Sequence, residues 1–483
     1  MGTFQLSRRE VLQSAACGFG GLALTGMMGG ATQAANPLAI RAPHYGARAN
    51  RMIFIFLAGG PSQADLFAPK EEINKQHGQA IKSPVGDDGQ IRVGVKEFLP
   101  MAPVASVRPR GDAGLMISDL MPNLASVADD LCMLRAVASD NRAHSPATLQ
   151  FHTGHLAEAR PSMGAWISYG LGSANENLPS FLTIHPLGDS RLYGSSDLPA
   201  IHQGTPLRVP QNSMESAIAD LQNLHSKPAA QRHRLDFLQN LNQRLLDRLR
   251  TDAQMEGIIE SFELAFRMQM ETPEVVDIST ETEETLRLYG IGEKSAGGPE
   301  NGFGGGMDID HNGRACLMAR QLTEAGVRFV QVTIGGWDHH ADIHNALRGS
   351  CAAADKPIGG LISDLKRRGL LDDTLVMVSG EFGRTYWSQD LSGKNPILKH
   401  GREHQQESFC TLLTGGGVKR GFVYGETDDL GYQPISGRIH LHDLHATLLH
   451  LLGMNHEQLI YPHHGRDLRL TDVFGNVVNE IMA

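Results

Sequence analysis

The sequence predicts an α/β protein of three layers, with a mostly parallel central sheet, helices on both of its faces and one helical insertion. Two observations predict it. Continuous apolar runs of strand length recur at 51–58, 131–138, 181–184, 327–334, 374–379 and 409–413. Between many of them lie helical patterns, at 120–128, 313–325 and 444–452. A strand with no polar alternation is covered on both faces, as parallel strands are, and alternation with helices makes such a sheet the economical solution. Ligands then bind beyond the carboxyl ends of the strands.

The first run, 51–58, ends in Gly59-Gly60-Pro61-Ser62, so a buried strand delivers a loop. That loop has neither the Lys nor the spacing of a nucleotide phosphate loop. Two segments interrupt the pattern. Residues 69–109 are polar and loop-rich, and residues 214–290 form a charged, mainly helical insertion, with helical spacing of apolar residues at 236–250. From 293 to 307 the chain turns glycine-rich, as a surface loop does. No internal repeat is present, and the reading is one elaborated domain over 35–483.

The N-terminus reads as an address. Ser7-Arg8-Arg9-Glu10-Val11-Leu12 is a twin-arginine pattern, followed by a Gly- and Ala-rich apolar stretch and by small residues ending at Ala34. Residues 1–34 are therefore expected to be a signal, and the mature protein to be periplasmic or extracellular with no membrane span. The formal charge is −10, and removing Arg8, Arg9 and Glu10 takes away a net +1 to leave −11. That balance argues against a nucleic-acid partner held by phosphate contacts. Cys17 falls in the signal, and Cys132, Cys316, Cys351 and Cys410 are far apart with no CxxC pair, which argues against a thiolate-built metal site.

Histidine carries the functional signal, with 22 in the chain and many packed into four short stretches. The run 327–334 leads into Gly335-Gly336-Trp337-Asp338-His339-His340-Ala341-Asp342-Ile343-His344. The run 374–379 leads into Gly380-Glu381-Phe382-Gly383-Arg384-Thr385, and Gly401-Arg402-Glu403-His404 precedes the next strand. One loop histidine is ordinarily a surface or capping residue. Carboxylates and imidazoles from three stretches at one sheet edge are what a divalent metal with oxygen and nitrogen ligands requires. His339, Asp342 and His344 are alternative ligands, since spacing in a loop does not fix which side chains turn inward. Arg384 reads either as a bidentate clamp on an anionic substrate oxygen or as a salt bridge within its loop. His463 and His464 line the same edge or make a packed turn.

With GGPSQAD, HSPATLQFHTG, GGWDHH, SGEFGRT, GREH and the closing HHGRDLRLTDV, the chain resembles the secreted bacterial proteins of domain-of-unknown-function family 1501. These are distant relatives of sulfatases and alkaline phosphatases. The resemblance spans nearly the whole sequence and implies an alkaline phosphatase/sulfatase-like fold. It implies one or two divalent ions (zinc, manganese or calcium) bound by Asp338, His340, Glu381 and His404, with Asp65 as the nearest acidic residue after the first strand. A sulfatase nucleophile motif ending in Thr-Gly would align with Thr153-Gly154, placing Pro146 on its proline and His144 on its nucleophile. Ala147 and Thr148 replace its maturation signal, which excludes an ordinary formylglycine sulfatase. Ser145 could act as a hydroxyl nucleophile, His144 as a ligand or nucleophile, or a metal-activated water could attack. The implied activity is hydrolysis of an anionic ester, phosphate or sulfate, such as a sulfated or phosphorylated glycan. The rival expectation is a scaffold that has lost its nucleophile and binds an anionic glycan or a partner protein.

Overall fold

The structure is a computed structural model that describes residues 38–85, 95–209, 228–249, 263–264, 266–268, 274–294, 308–390 and 393–483. The signal at 1–34, much of the insertion at 214–290 and most of the glycine-rich 293–307 lie outside these residues.

The strands that build and extend the sheet are β1 (Arg51–Leu57), β2 (Leu131–Ala138), β3 (Phe181–Ile184), β4 (Thr205–Leu207), β5 (Phe329–Ile334) and β6 (Thr374–Ser379). After them come β7 (Gly383–Gln389), β8 (Gly401–Gln405), β9 (Phe409–Thr414), β10 (Phe422–Tyr424) and β11 (Ile439–His440). The central sheet runs β10-β2-β9-β6-β1-β5-β3-β4, with β11 also paired to β2. Its pairings are parallel except those of β9, which is antiparallel to both β6 and β2. β7 and β8 stand outside it as a separate antiparallel ribbon.

The helices are α1 (Gln63–Leu66), α2 (His144–Thr153), α3 (Met163–Leu171), α4 (Pro228–Leu249), α5 (Ile309–Glu324), α6 (Ile343–Arg367) and α7 (Leu441–Leu451). α4 lies in the described part of the insertion. The residues of β1 divide between two cores, as the twofold period of a strand requires. Ile53, Ile55 and Leu57 pack with Leu317 of α5 and Leu347 and Leu361 of α6. Met52, Phe54 and Phe56 pack with Phe151 of α2, Ile167 of α3 and Leu448 of α7. This double cover explains why the strands read as unbroken apolar runs. The four described cysteines are all buried and unpaired, as plain core residues.

Because β1, β2, β5 and β6 run the same way, the segments that follow them emerge at one edge. β1 is flanked by β5 on one side and β6 on the other, so the loops after these three strands meet where chain order around β1 reverses. The described residues of the polar, loop-rich stretch 69–109 include a short helix, Glu71–Lys75, and small strand pairs.

Candidate metal centre

Four side chains converge at this edge. The ligand-type atoms of His144, Asp338, His340 and His404 all lie within 4.8 Å of one another. Asp338 Oδ1 is the hub, 2.8 Å from His340 Nε2, 3.2 Å from His144 Nε2 and 3.3 Å from His404 Nε2. Each contributor has its own support. His144 opens α2 after β2, Asp338 and His340 lie in the segment after β5, and His404 sits in β8 opposite Arg384 of β7.

The far ring nitrogens show what the cluster is prepared for. His144 Nδ1 is 2.6 Å from Glu381 Oε1, His340 Nδ1 is 2.6 Å from Gln389 Oε1, and His404 Nδ1 is 2.7 Å from the Arg142 carbonyl. Each partner is an oxygen acceptor, so each Nδ1 carries the proton. In the neutral rings the three Nε2 lone pairs therefore point at one another and at the Asp338 carboxylate. His340 and His404 meet Nε2 to Nε2 at 2.9 Å. Four acceptors facing one point can hold a cation beside the Arg384 guanidinium, which already donates to Asp338, and imidazoles anchored through the far nitrogen are the usual support for a ligated metal. The donor set of three nitrogens and one carboxylate oxygen suits zinc or a similar transition ion, and is a poor match for calcium, which takes oxygen ligands.

Electrostatics agree for Asp338 and His404. Burial would raise the Asp338 pKa, but the close approach of His144, His340 and His404 together with the Arg384 charge holds it well below the usual carboxylate range. Burial lowers the His404 pKa, favouring the neutral ligand form. For His144 burial also acts to lower the pKa, but its contacts with Asp338 and Glu381 outweigh it and raise the value.

The other expected site residues are placed differently. Glu381 is fully buried behind His144, and both of its oxygens accept the Gly59 N–H at 3.1 Å, so it supports a ligand from outside the group of four. Asp65 is also outside the group. It is fully buried in a bidentate pair with Arg402, at 2.7 and 3.0 Å, and accepts from Ser62 and the Val104 N–H. The Arg384 guanidinium is fully buried as well. It donates to Asp338, to the carbonyls of Gly59 and Gly60, and to the Arg402 carbonyl. That is the salt-bridge role and leaves no exposed fork to clamp a substrate. Ser145 is exposed on the first turn of α2, outside the group. The ambiguity after β5 resolves by side. His339 is buried against Ser350 of α6 at 3.0 Å, and Asp342 pairs with Lys399 at 3.0 Å. His344 is outside the group, and His463 faces Asp197 at 3.4 Å. Gln389 and the Arg142 carbonyl were invisible to sequence reading, since nothing in a Gln or a backbone carbonyl marks it as a histidine anchor.

The two glycines after β1 are the frame of this arrangement. Gly59 has φ of 117°, and a Cβ there would sit 2.6 Å from the Asp338 nitrogen. Gly59→Ala is expected to destabilise the protein by about 1–3 kcal/mol from the backbone conformation alone and to push Asp338 out of line. Thermal melting together with metal affinity checks this; a variant with unchanged melting and binding would contradict it.

A cleft of about 650 Å³ is lined by Asp140, Arg438, His440, Glu457, Phe474 and Asn476 among others. Asp140 is two residues before Arg142, so the two are separated by at most about 7 Å of chain. The loop that anchors His404 thus also walls the cleft.

A mostly parallel α/β sheet with three histidines and an aspartate gathered at one edge defines a candidate metalloprotein. The chain belongs to the family described as "Protein of unknown function (DUF1501)", whose profile matches residues 49–482. No curated protein matches the sequence. Solved structures similar to it include the lipoteichoic acid synthase LtaP from Listeria monocytogenes, at 11% identity and TM-score 0.35, over 90% of this chain and 78% of that one. The PsFucS1 sulfatase from Pseudoalteromonas sp. is similar at 12% and 0.37, over 84% and 68%. The phosphonate monoester hydrolase SpPMH from Silicibacter pomeroyi is similar at 11% and 0.33, over 84% and 73%. Likeness at this level fixes no ion, substrate or mechanism for this chain.

Proposed function

We propose that the protein is an exported, metal-dependent hydrolase of a phosphate or sulfate ester, built on an alkaline phosphatase/sulfatase-like scaffold. The observation that carries it is the convergence of His144, Asp338, His340 and His404 with every far imidazole nitrogen anchored. An ion bound there would polarise an anionic ester oxygen and lower the pKa of a water at neutral pH. The protein's own residues fix three imidazole tautomers and hold Asp338 ionised, and His144, anchored through Nδ1 with Nε2 turned toward the group, serves as a ligand and not as the attacking group. The cleft beside Asp140 is the place for the organic part of the ester, with Phe474, 58% exposed, at its wall. Export follows from the twin-arginine pattern; no helix among the described residues is long and apolar enough to cross a membrane.

A second reading has one observation in its favour. Ser145, the hydroxyl residue next to His144, is exposed on the first turn of α2, which suits a scaffold that binds an anionic ligand without turnover. Elemental analysis of the mature protein purified without chelator, followed by a screen of aryl phosphate, phosphonate and sulfate esters, separates the two. Bound zinc or a similar ion with ester turnover abolished by chelation is the expected result. Bound metal with no turnover of any ester class would favour the binding scaffold, and absence of metal affinity would defeat the hydrolase.

A further inference from the structure

Superfamily resemblance implies one or two cations, and the residues present fit only one. We propose that the centre is mononuclear and that two buried arginines hold the positive charge a second cation would otherwise bring. The inference rests on the metal reading above and concerns what surrounds that ion.

A second cation needs carboxylates free to turn toward it, and Asp65 and Glu381, the two that were expected at this edge, are both fully buried and held by other partners. Asp65, the acidic residue after β1, gives both oxygens to Arg402, and this pair is fully buried on both sides. One of those oxygens also accepts from Ser62, and the other from the Val104 N–H. Arg402 adds three further donations, to the carbonyls of Thr385, Met101 and Ala102. A guanidinium satisfied on this many sides in a dry site does not yield its carboxylate to an ion, since withdrawal would leave a buried charge unpaired. Glu381 faces the Gly59 N–H with both oxygens and His144 with one. Among the described residues no second group of three or more His, Cys, Asp or Glu side chains converges on a point.

Arg384 takes the same part closer in. Its guanidinium donates to Asp338 Oδ1, the oxygen at the hub, and NH1 lies 3.5 Å from His340 Nε2. A fixed positive charge at that distance neutralises the carboxylate that would have to bridge two ions and repels any cation beyond the first. Arg384 is on this account a positioning residue. It aims Asp338 and sets the charge of the centre, at the cost of some affinity for the ion that does bind.

The last point gives a readout that structural damage would not produce. Removing the charge with Arg384→Gln is expected to tighten zinc binding by on the order of tenfold, although the variant loses stability. Arg384→Lys keeps the charge and is expected to bind zinc close to the wild-type affinity. Isothermal titration with zinc, and elemental analysis of the wild-type protein after zinc loading and desalting, make the test. One equivalent per chain, with tighter binding in Arg384→Gln only, supports the proposal. Two equivalents would overturn it while leaving the metal reading intact, and no equivalents would overturn the metal reading itself. If Arg384→Gln fails to fold, the wild-type stoichiometry still decides.

Discussion

Replacing His404 with alanine is expected to cost the protein its metal while sparing its fold, whereas replacing Asp338 with alanine is expected to cost both. His404 is a neutral ring with burial holding its pKa down, and its anchor is a single carbonyl, that of Arg142. Its loss removes one of four donors and leaves no charge stranded. Loss of one such ligand weakens binding by at least about 100-fold, more than the 10–100-fold typical of a supporting partner. Asp338 is different because Arg384 is fully buried and finds its counter-charge there. Asp338→Ala strands a guanidinium in the interior, and breaking a buried pair from one side costs about 3–5 kcal/mol. Zinc titration and chemical denaturation of both variants distinguish the roles. Equal stability losses would mean that Arg384 draws its compensation from the carbonyls of Gly59, Gly60 and Arg402 instead.

The contrast between these two residues bears on what the sequence could disclose. Asp338 and His340 stood out because they follow an apolar run, and a strand in a parallel sheet must deliver its next residues to a common edge; His404 stood out in a charged stretch just before the next strand. The same rule drew attention to Glu381, and the family resemblance to Asp65. What spacing could not tell is whether a carboxylate reaching the edge turns toward a metal or toward a neighbouring guanidinium. That choice depends on Arg402, which lies 337 residues from Asp65 in sequence, and on a glycine N–H directed at Glu381. The alternation in the segment after β5 was similarly hidden. Asp338 and His340 turn inward and His339 turns outward only because Ser350 of α6 waits on the other side.

Secondary structure divides along the same line. The sheet strands were legible from hydrophobicity, since burial on both faces is a local property of the run. The 25-residue α6 was not, because Pro357, Gly359 and Gly360 interrupt its middle and read as a break. Its stability is tertiary. Gly359 and Gly360 allow the backbones of Asn123 and Leu288 to approach too closely for any Cβ, and Asp355 caps the helix Pro122–Ala125 through the N–H groups of Asn123 and Leu124. The ribbon of β7 and β8 was likewise read as loop. Its register pair Arg384 opposite His404 belongs to the centre, while Tyr386 and Trp387 of β7 are buried in a small apolar cluster with Ile73 and Phe98.

Stability is expected to fall steeply as pH drops from about 6.5 toward 4, for a reason separate from the metal. His152, His202 and His445 are almost wholly buried. Each has one ring nitrogen engaged, with the Thr148 carbonyl, the Ser168 hydroxyl and the Phe151 carbonyl respectively, at 2.8 to 2.9 Å. The other nitrogen in each ring has no hydrogen-bond partner among the described residues. A second proton would therefore be buried without an acceptor. Burial pushes the pKa down to about 4 for His152 and to about 3 for His202 and His445. In the unfolded chain these rings titrate near the ordinary value of about 6.5. Below that pH the unfolded state binds protons that the folded state refuses, so stability declines with falling pH until the folded rings titrate in turn. Each ring contributes a slope of up to about 1.4 kcal/mol per pH unit. Three together can exhaust a stability of about 5–15 kcal/mol within a few pH units. Denaturant unfolding of the chelated protein between pH 7 and 4.5 measures the slope. His202→Asn and His445→Gln, which keep a comparable hydrogen-bonding amide, are each expected to remove about one proton's worth of it. A flat profile over this range would show that the rings find acceptors for a second proton, and the buried-neutral assignment would fall.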